Sequence, residues 1–142
     1  MRLIVTRLRP SVPLPVYSSP GAAAFDLAAA DDVEIGPGEI KLVGTGLVVA
    51  VPDGHFLAIF ARSSTPLRRG LMVANGVGVL DSDYCGPDDE LKIQLLNVTT
   101  EPVSVKAGER LAQGIVLQAP SIEFIDGEAT GPSRGGFGST GR

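Results

Sequence analysis

The chain has 142 residues, with 12 basic and 16 acidic side chains giving a net charge of −4; this excludes a general nucleic-acid binder, which needs excess Lys and Arg to displace counterions from phosphates. One domain is expected at this length, and 44% hydrophobic content is enough for a core. A lone cysteine, Cys85, excludes an internal disulfide; MRLIVTRLRP holds no apolar run of signal-peptide length, and no stretch approaches the ~18 apolar residues of a span, so a cytoplasmic address is expected.

In chain order, strands are predicted at RLIVTRL (2–8), AFDLAAA (24–30), EIKLVGT (39–45), GLVVAV (46–51), HFLAIFA (55–61), LKIQLLN (91–97) and RLAQGIVLQ (110–118). Each is short, rich in β-branched or apolar residues, and bounded by Gly, Pro, Asp or Asn. The 18 glycines and 11 prolines are scattered along the chain, as punctuation between short strands is. STPLRR (64–69) is the one helical candidate, with Ser64 as cap and Pro66 inside the first turn. GLVVAV and HFLAIFA are apolar on both alternating faces, so both faces must be covered, and in so small a domain another subunit is a natural cover. The expected architecture is all-β, a jelly-roll-like barrel or sandwich with one short helix, assembled into an oligomer. There is no internal repeat.

Three stretches break strand logic. GAAAFDLAAA (21–30) holds one charge, Asp26, which is either functional or a turn residue bonded to backbone amides. ARSSTPLRRGL (61–71) follows a two-faced apolar strand with an arginine and two hydroxyls, a set that suits an anion and also suits a solvated turn. In NGVGVLDSDYCG (75–86), two glycines flanking Val77 suggest a hairpin whose backbone approaches a ligand. If its return arm is extended, Asp81 and Asp83 share one face and Tyr84 takes the other; the alternative is an acidic turn before the next strand. AGERLAQ (107–113) leads into the last predicted strand, and the chain closes on PSRGGFGSTGR (132–142), where two arginines, a phenylalanine and three hydroxyls sit among glycines.

In order and spacing these five stretches resemble the five motifs of the trimeric dUTPases, over almost the whole chain. The resemblance implies a jelly-roll homotrimer whose three active sites each draw on all three chains. It implies Mg²⁺-assisted attack of water on the α-phosphate of dUTP, giving dUMP and pyrophosphate, which keeps uracil out of DNA and supplies dUMP for dTMP synthesis. Residues 1–131 would form the jelly-roll domain, and 132–142 a flexible tail that closes over a neighbouring subunit's site.

Carried onto this sequence, the resemblance makes Asp26 the acid that holds Mg²⁺ through water, which suits an ion reluctant to dehydrate. Arg62, Ser63 and Ser64 match the phosphate grip, with Gln113 near the phosphates and Arg110 structural. Asn75 and the backbone from Gly76 through Val79 to Leu80 would read the uracil edge, leaving no room for a thymine methyl, and Tyr84 would lie against the deoxyribose. Lys92 joins the substrate-binding set. Asp81 would contact the 3′-hydroxyl and orient the attacking water; a carboxylate with a reference pKa of about 3.9 is a weak base at neutral pH, so positioning matters as much as proton removal. In the tail, Arg134, Phe137, Gly138 and Ser139 match the segment that stacks on uracil and closes on the phosphates, with glycines letting the backbone approach.

The sequence departs from the family pattern at Ala61, where proline is common, at Ser64, commonly glycine, at Cys85, often arginine, and in GPDDE (86–90), a longer link than usual. No GK[ST] accompanies a P-loop, and no helix supports a Rossmann motif. A dCTP deaminase of the same fold would need a glutamate where Gln94 stands, and Gln cannot act as acid or base. A non-catalytic nucleotide-sensing jelly roll is the third reading, against which Asp26, Asp81 and the full tail speak together.

Overall fold

The computed structural model describes residues 1–136, among which eleven strands and one short helical turn form an all-antiparallel fold. The strands are β1 (Ile4–Arg7), β2 (Phe25–Ala28), β3 (Val33–Ile35), β4 (Ile40–Gly44), β5 (Leu47–Ala50), β6 (His55–Ala61), β7 (Leu71–Val73), β8 (Gly78–Leu80), β9 (Lys92–Asn97), β10 (Val103–Val105) and β11 (Arg110–Gln118). Four sheets result, in the orders β2-β11-β6-β8, β4-β9-β7, β1-β5 and β3-β10. Non-sequential neighbours in every sheet, such as β11 between β2 and β6, give the jelly-roll-like character expected from many short strands.

Alternation decides which residues face the core. Along β9, Ile93, Leu95 and Asn97 are buried, while Lys92 is exposed and Gln94 and Leu96 are half-buried. Along β2, Phe25 and Leu27 point inward, which sends Asp26 and Ala28 to the other face. The core gathers Leu27, Leu57, Leu71, Ile93, Leu95 and Leu111 from both larger sheets. GLVVAV and HFLAIFA are covered on both faces at their centres, since Leu47 to Val49 and Leu57 to Ile59 are all buried.

The buried Asn97 shows how polar groups are accommodated. Its Nδ2 donates to Ile35 O at 2.9 Å and to Glu101 O at 2.8 Å, and its Oδ1 accepts from Thr99 N at 2.8 Å. Those bonds fasten the β9–β10 connection, so this polar side chain is retained in the core because its donors and acceptor are all used.

Four strands are additional to the strands predicted from sequence. β3, β7, β8 and β10 have three residues each, too few for an alternation of four to eight residues to register; β3 and β10 stabilise each other by pairing Val103 with Ile35 and Val105 with Val33. The helical turn spans Thr65–Arg69 with a proline in its first turn, but the Ser64 side chain makes no capping bond. The turn is held instead by the Thr65 hydroxyl, which donates to Leu111 O at 2.9 Å, and it ends at Gly70 with φ of 60°. The expected hairpin over NGVGV is also corrected: β7 pairs with β9 and β8 with β6, so residues 74–77 form a crossing between two sheets. The crossing turns at Gly76, with φ of 74°, where Gly76 N donates to Val73 O.

Candidate active site

Two groups of side chains converge, on different parts of the chain. The first is built by strand register. Gln113 of β11 lies opposite Asp26 of β2 and opposite Phe60 of β6, so three sheet neighbours present the first, second and fourth motif stretches side by side. Asp26 is the hub, its side chain only 9% exposed. Its Oδ1 meets Arg62 Nε at 2.7 Å and its Oδ2 accepts from Arg110 Nη1 at 3.0 Å. Arg62 Nη1 also donates to Arg110 O at 3.2 Å, and Gln113 Nε2 to Ala61 O at 3.0 Å. One mostly buried carboxylate between two guanidinium groups is satisfied electrostatically and holds both arginines in fixed directions. Ser63 is exposed beside Arg62, and Ser64 lines a cavity of about 320 Å³ together with Arg62, Arg68, Arg69, Glu109 and Arg110.

This geometry sets what Asp26 offers a metal. Both carboxylate oxygens are engaged by arginine, and no group of three or more His, Cys, Asp or Glu among the described residues is placed to hold an ion directly. The donor set fits Mg²⁺ that keeps most of its water and takes its remaining ligands from substrate phosphates.

The second group is built from the crossing, β8 and the turn beyond β8. Asn75, Gly78, Val79, Leu80, Asp81, Tyr84 and Lys92 line one cavity of about 340 Å³, with Leu42, Ile59 and Glu90 among its other walls. Gly76 lies outside that lining, at the turn itself. The extended arm expected for Asp81 to Tyr84 is corrected: the strand ends at Leu80, and Tyr84 N donates back to Asp81 O at 3.3 Å, closing a turn. An extended arm would send Asp81 and Tyr84 to opposite faces; the turn brings both to one cavity. Asp83 is exposed and outside the lining.

Glu90 was not legible as a site residue because it lies in what reads as a link. The GPDDE segment folds on itself, with Gly86 N donating to Asp89 Oδ2 at 2.7 Å, and delivers the Glu90 carboxylate to Gly46 N at 2.8 Å. Gly44 leaves the space for it, since a Cβ there would stand 2.5 Å from Glu90 Oε1.

The two cavities share no lining residue. β8 runs antiparallel to β6 with Leu80 opposite Leu57 and Gly78 opposite Ile59, so Asp81 continues away from the end of β6 that leads into Arg62. From Leu57 to Arg62 the strand advances roughly 17 Å at about 3.3 Å per residue. One chain therefore holds the acidic, aromatic cavity and the basic cavity apart. Arg134 is exposed on a segment without regular structure, and Phe137, Gly138 and Ser139 lie outside the described residues.

Comparison with known proteins identifies relatives across the chain. A family model described as dUTPase matches residues 11–141. The deoxyuridine 5'-triphosphate nucleotidohydrolase of Wolinella succinogenes is 41% identical over 145 aligned positions, covering 100% of this chain and 95% of the relative. Among solved structures, dUTPase from Streptococcus mutans superposes with a TM-score of 0.75 at 38% identity, covering 78% of this chain and 89% of that one. The dUTPase of Staphylococcus bacteriophage 80alpha superposes with a TM-score of 0.87 over 99% of this chain and 98% of that one, and at 21% identity it supports the fold alone.

Proposed function

This chain belongs to the dUTPase family, and on that premise we propose that it hydrolyses dUTP to dUMP and pyrophosphate in sites that a homotrimer assembles from its three chains. The observation that carries the reading is the division of the site: Asn75, Asp81 and Tyr84 line one cavity, while Arg62, Arg110 and Gln113 surround Asp26 elsewhere. The first set has the chemistry for a base, a sugar and a water, the second for phosphates. A closed threefold assembly joins the halves by setting one subunit's basic cluster against a neighbour's acidic cavity.

In the assembled site the backbone from Gly76 to Leu80, with Asn75, reads the uracil edge, and Tyr84 packs against the deoxyribose and leaves no place for a 2′-hydroxyl. Lys92, on the same cavity wall, adds a cation beside the substrate. Asp81 contacts the 3′-hydroxyl and holds a water in line with the α-phosphorus, accepting its proton as the bond to the leaving pyrophosphate breaks. Arg62, Ser63, Ser64 and Gln113 donate to the phosphates, and Arg62 is held ready for this by Asp26. Mg²⁺ bound with the substrate would offset phosphate charge, with Asp26 reaching it through water. Residues 132–142, carrying Arg134, Phe137, Gly138 and Ser139, are proposed as a lid over a neighbouring subunit's site; exposure of the chain from Ala119 to Gly136 supports a segment free to reach that far. A cytoplasmic location belongs to the same proposal, in keeping with a chain whose single cysteine forms no internal disulfide.

Pyrophosphate release measured with dUTP, dCTP, dTTP and UTP tests the reading, with ammonia followed in the dCTP reaction. Efficient turnover is expected for dUTP alone, and full rate only with Mg²⁺. Ammonia from dCTP would replace hydrolysis by deamination despite Gln94, and equal rates on UTP would remove Tyr84 from sugar selection.

A further inference from the structure

The cavity beside the Asp26 cluster holds more positive charge than that cluster uses. Arg62, Arg68, Arg69 and Arg110 all line it, against the carboxylates of Glu109 in its wall and Asp26 beside it, which leaves an excess of two positive charges in a chain of net charge −4. Three of the four guanidinium groups are engaged: Arg62 and Arg110 with Asp26, and Arg69 with Glu109 and with the Ser104 carbonyl. Arg68 makes neither an ion pair nor a hydrogen bond among the described residues, although the backbone carrying it is fixed. The Thr65 hydroxyl donates to Leu111 O, Val98 N donates to Gly70 O, and Arg69 joins the turn to the segment before β11. The turn thus presents one unpaired guanidinium at a fixed place on the wall of a cavity whose volume, about 320 Å³, lies at the lower end of small-molecule sites.

We infer that Arg68 is a substrate-binding residue for the diphosphate end of the nucleotide, the β- and γ-phosphates that leave as pyrophosphate. The inference rests on the reading of Arg62 and Ser64 as phosphate ligands and extends that grip by another residue lining the same cavity. The ligand class follows from charge. A diphosphate carries several negative charges on a small body, and guanidinium groups with a hydroxyl beside them match it by paired N–H donors and a short O–H bond. The end of the nucleotide also follows: base, sugar and reacting phosphorus belong to the half of the site with Asp81, so a cavity lined without Asp81 receives the part of the nucleotide beyond them.

Inorganic pyrophosphate and dUMP are titrated calorimetrically into the full chain in Mg²⁺-containing buffer, for the parent, Arg68→Ala and Arg68→Lys. Arg68→Ala is expected to weaken pyrophosphate binding by roughly tenfold to a hundredfold, the range for losing a charged hydrogen-bond donor, with Arg68→Lys intermediate and dUMP affinity unchanged in both. Arg68 is exposed, so truncation should leave the melting temperature in place; if Arg68→Ala unfolds, Arg68→Gln keeps much of the stem and removes the charge. Pyrophosphate affinity equal to the parent's, or an equal loss of dUMP affinity, overturns the inference. Pyrophosphate binding that depends on Arg68 in a chain that does not hydrolyse dUTP would uphold the subsite and sink the proposed function, whereas turnover with affinity indifferent to Arg68 would do the reverse.

Discussion

At the scale of single residues, the two carboxylates central to the proposal differ in surroundings and therefore in use. Asp26 is mostly buried and bound on both oxygens by arginines, so its charge is spent on orienting Arg62 and Arg110. Asp81 is exposed in a cavity with Tyr84 and Lys92 and has no ion pair among the described residues, which leaves its oxygens free for a water and a sugar hydroxyl. Asp81→Asn keeps the shape and removes the charge. It is expected to lower kcat by roughly 10² to 10⁴ with nucleotide binding and melting temperature retained, the usual range for losing a general base; a parental rate in a folded variant would take Asp81 out of the mechanism. The sequence made both acids visible, Asp26 as a lone charge among small and apolar residues and Asp81 as the first acid after a glycine-flanked turn. Asp and Ser at 81–83 are turn residues, and an acidic turn was the alternative to an extended arm; local composition could not decide between them, and the structure closes the turn from Tyr84 back to Asp81. Arg110 as the second partner of Asp26 depends on register across β2 and β11, a long-range fact that no local window contains.

At the scale of elements, β11 does the most positioning. It was legible in the sequence as a nine-residue run, and it pairs with β2 on one side and β6 on the other, which is how Asp26, Gln113 and the end of β6 leading into Arg62 come together. Its register with β2 shifts between Arg110 and Ala112, an irregularity of the kind that bends a strand and re-aims a side chain. The strand also carries Gly114 against core side chains: a Cβ there would lie 2.7 Å from Phe25 Cε2 and 3.0 Å from Leu57 Cδ1. Gly114→Ala is therefore expected to cost about 1–3 kcal/mol of stability through overpacking, measured by urea unfolding; a variant as stable as the parent would mean that Phe25 moves aside freely. The long strands were readable because apolar runs of that length bounded by turn residues have few other folds open to them. β3 and β10 were not, since each becomes a strand only by pairing with the other across about 70 residues of sequence, from Val33 to Val105.

At the scale of the whole molecule, the proposed function makes activity a property of the assembly, because the two cavities stand apart in one chain. The outer face of the three-stranded sheet supports an assembly as well, because Ile40 and Met72 lie on either side of Leu96, and Ile40 and Leu42 are more than half exposed. If one subunit's Asp81 works with a different subunit's tail, two inactive variants should restore each other. The first is Asp81→Asn, and the second is truncated after Pro132, which removes Arg134 and Phe137. Each homotrimer is expected to be nearly inactive, one lacking the acid and the other the lid. Denatured together and refolded, they should form mixed trimers in which a site is intact when its Asp81 comes from the truncated chain and its tail from the full-length chain. Random assembly makes that about one site in four, from two independent choices of roughly one half each in a closed threefold oligomer. Pyrophosphate release from dUTP should then reappear at about a quarter of the parental rate, with mass measurement verifying the mixed species. If verified mixed trimers stay as inactive as their parents, the tail either closes over its own chain's Asp81 or has no catalytic part.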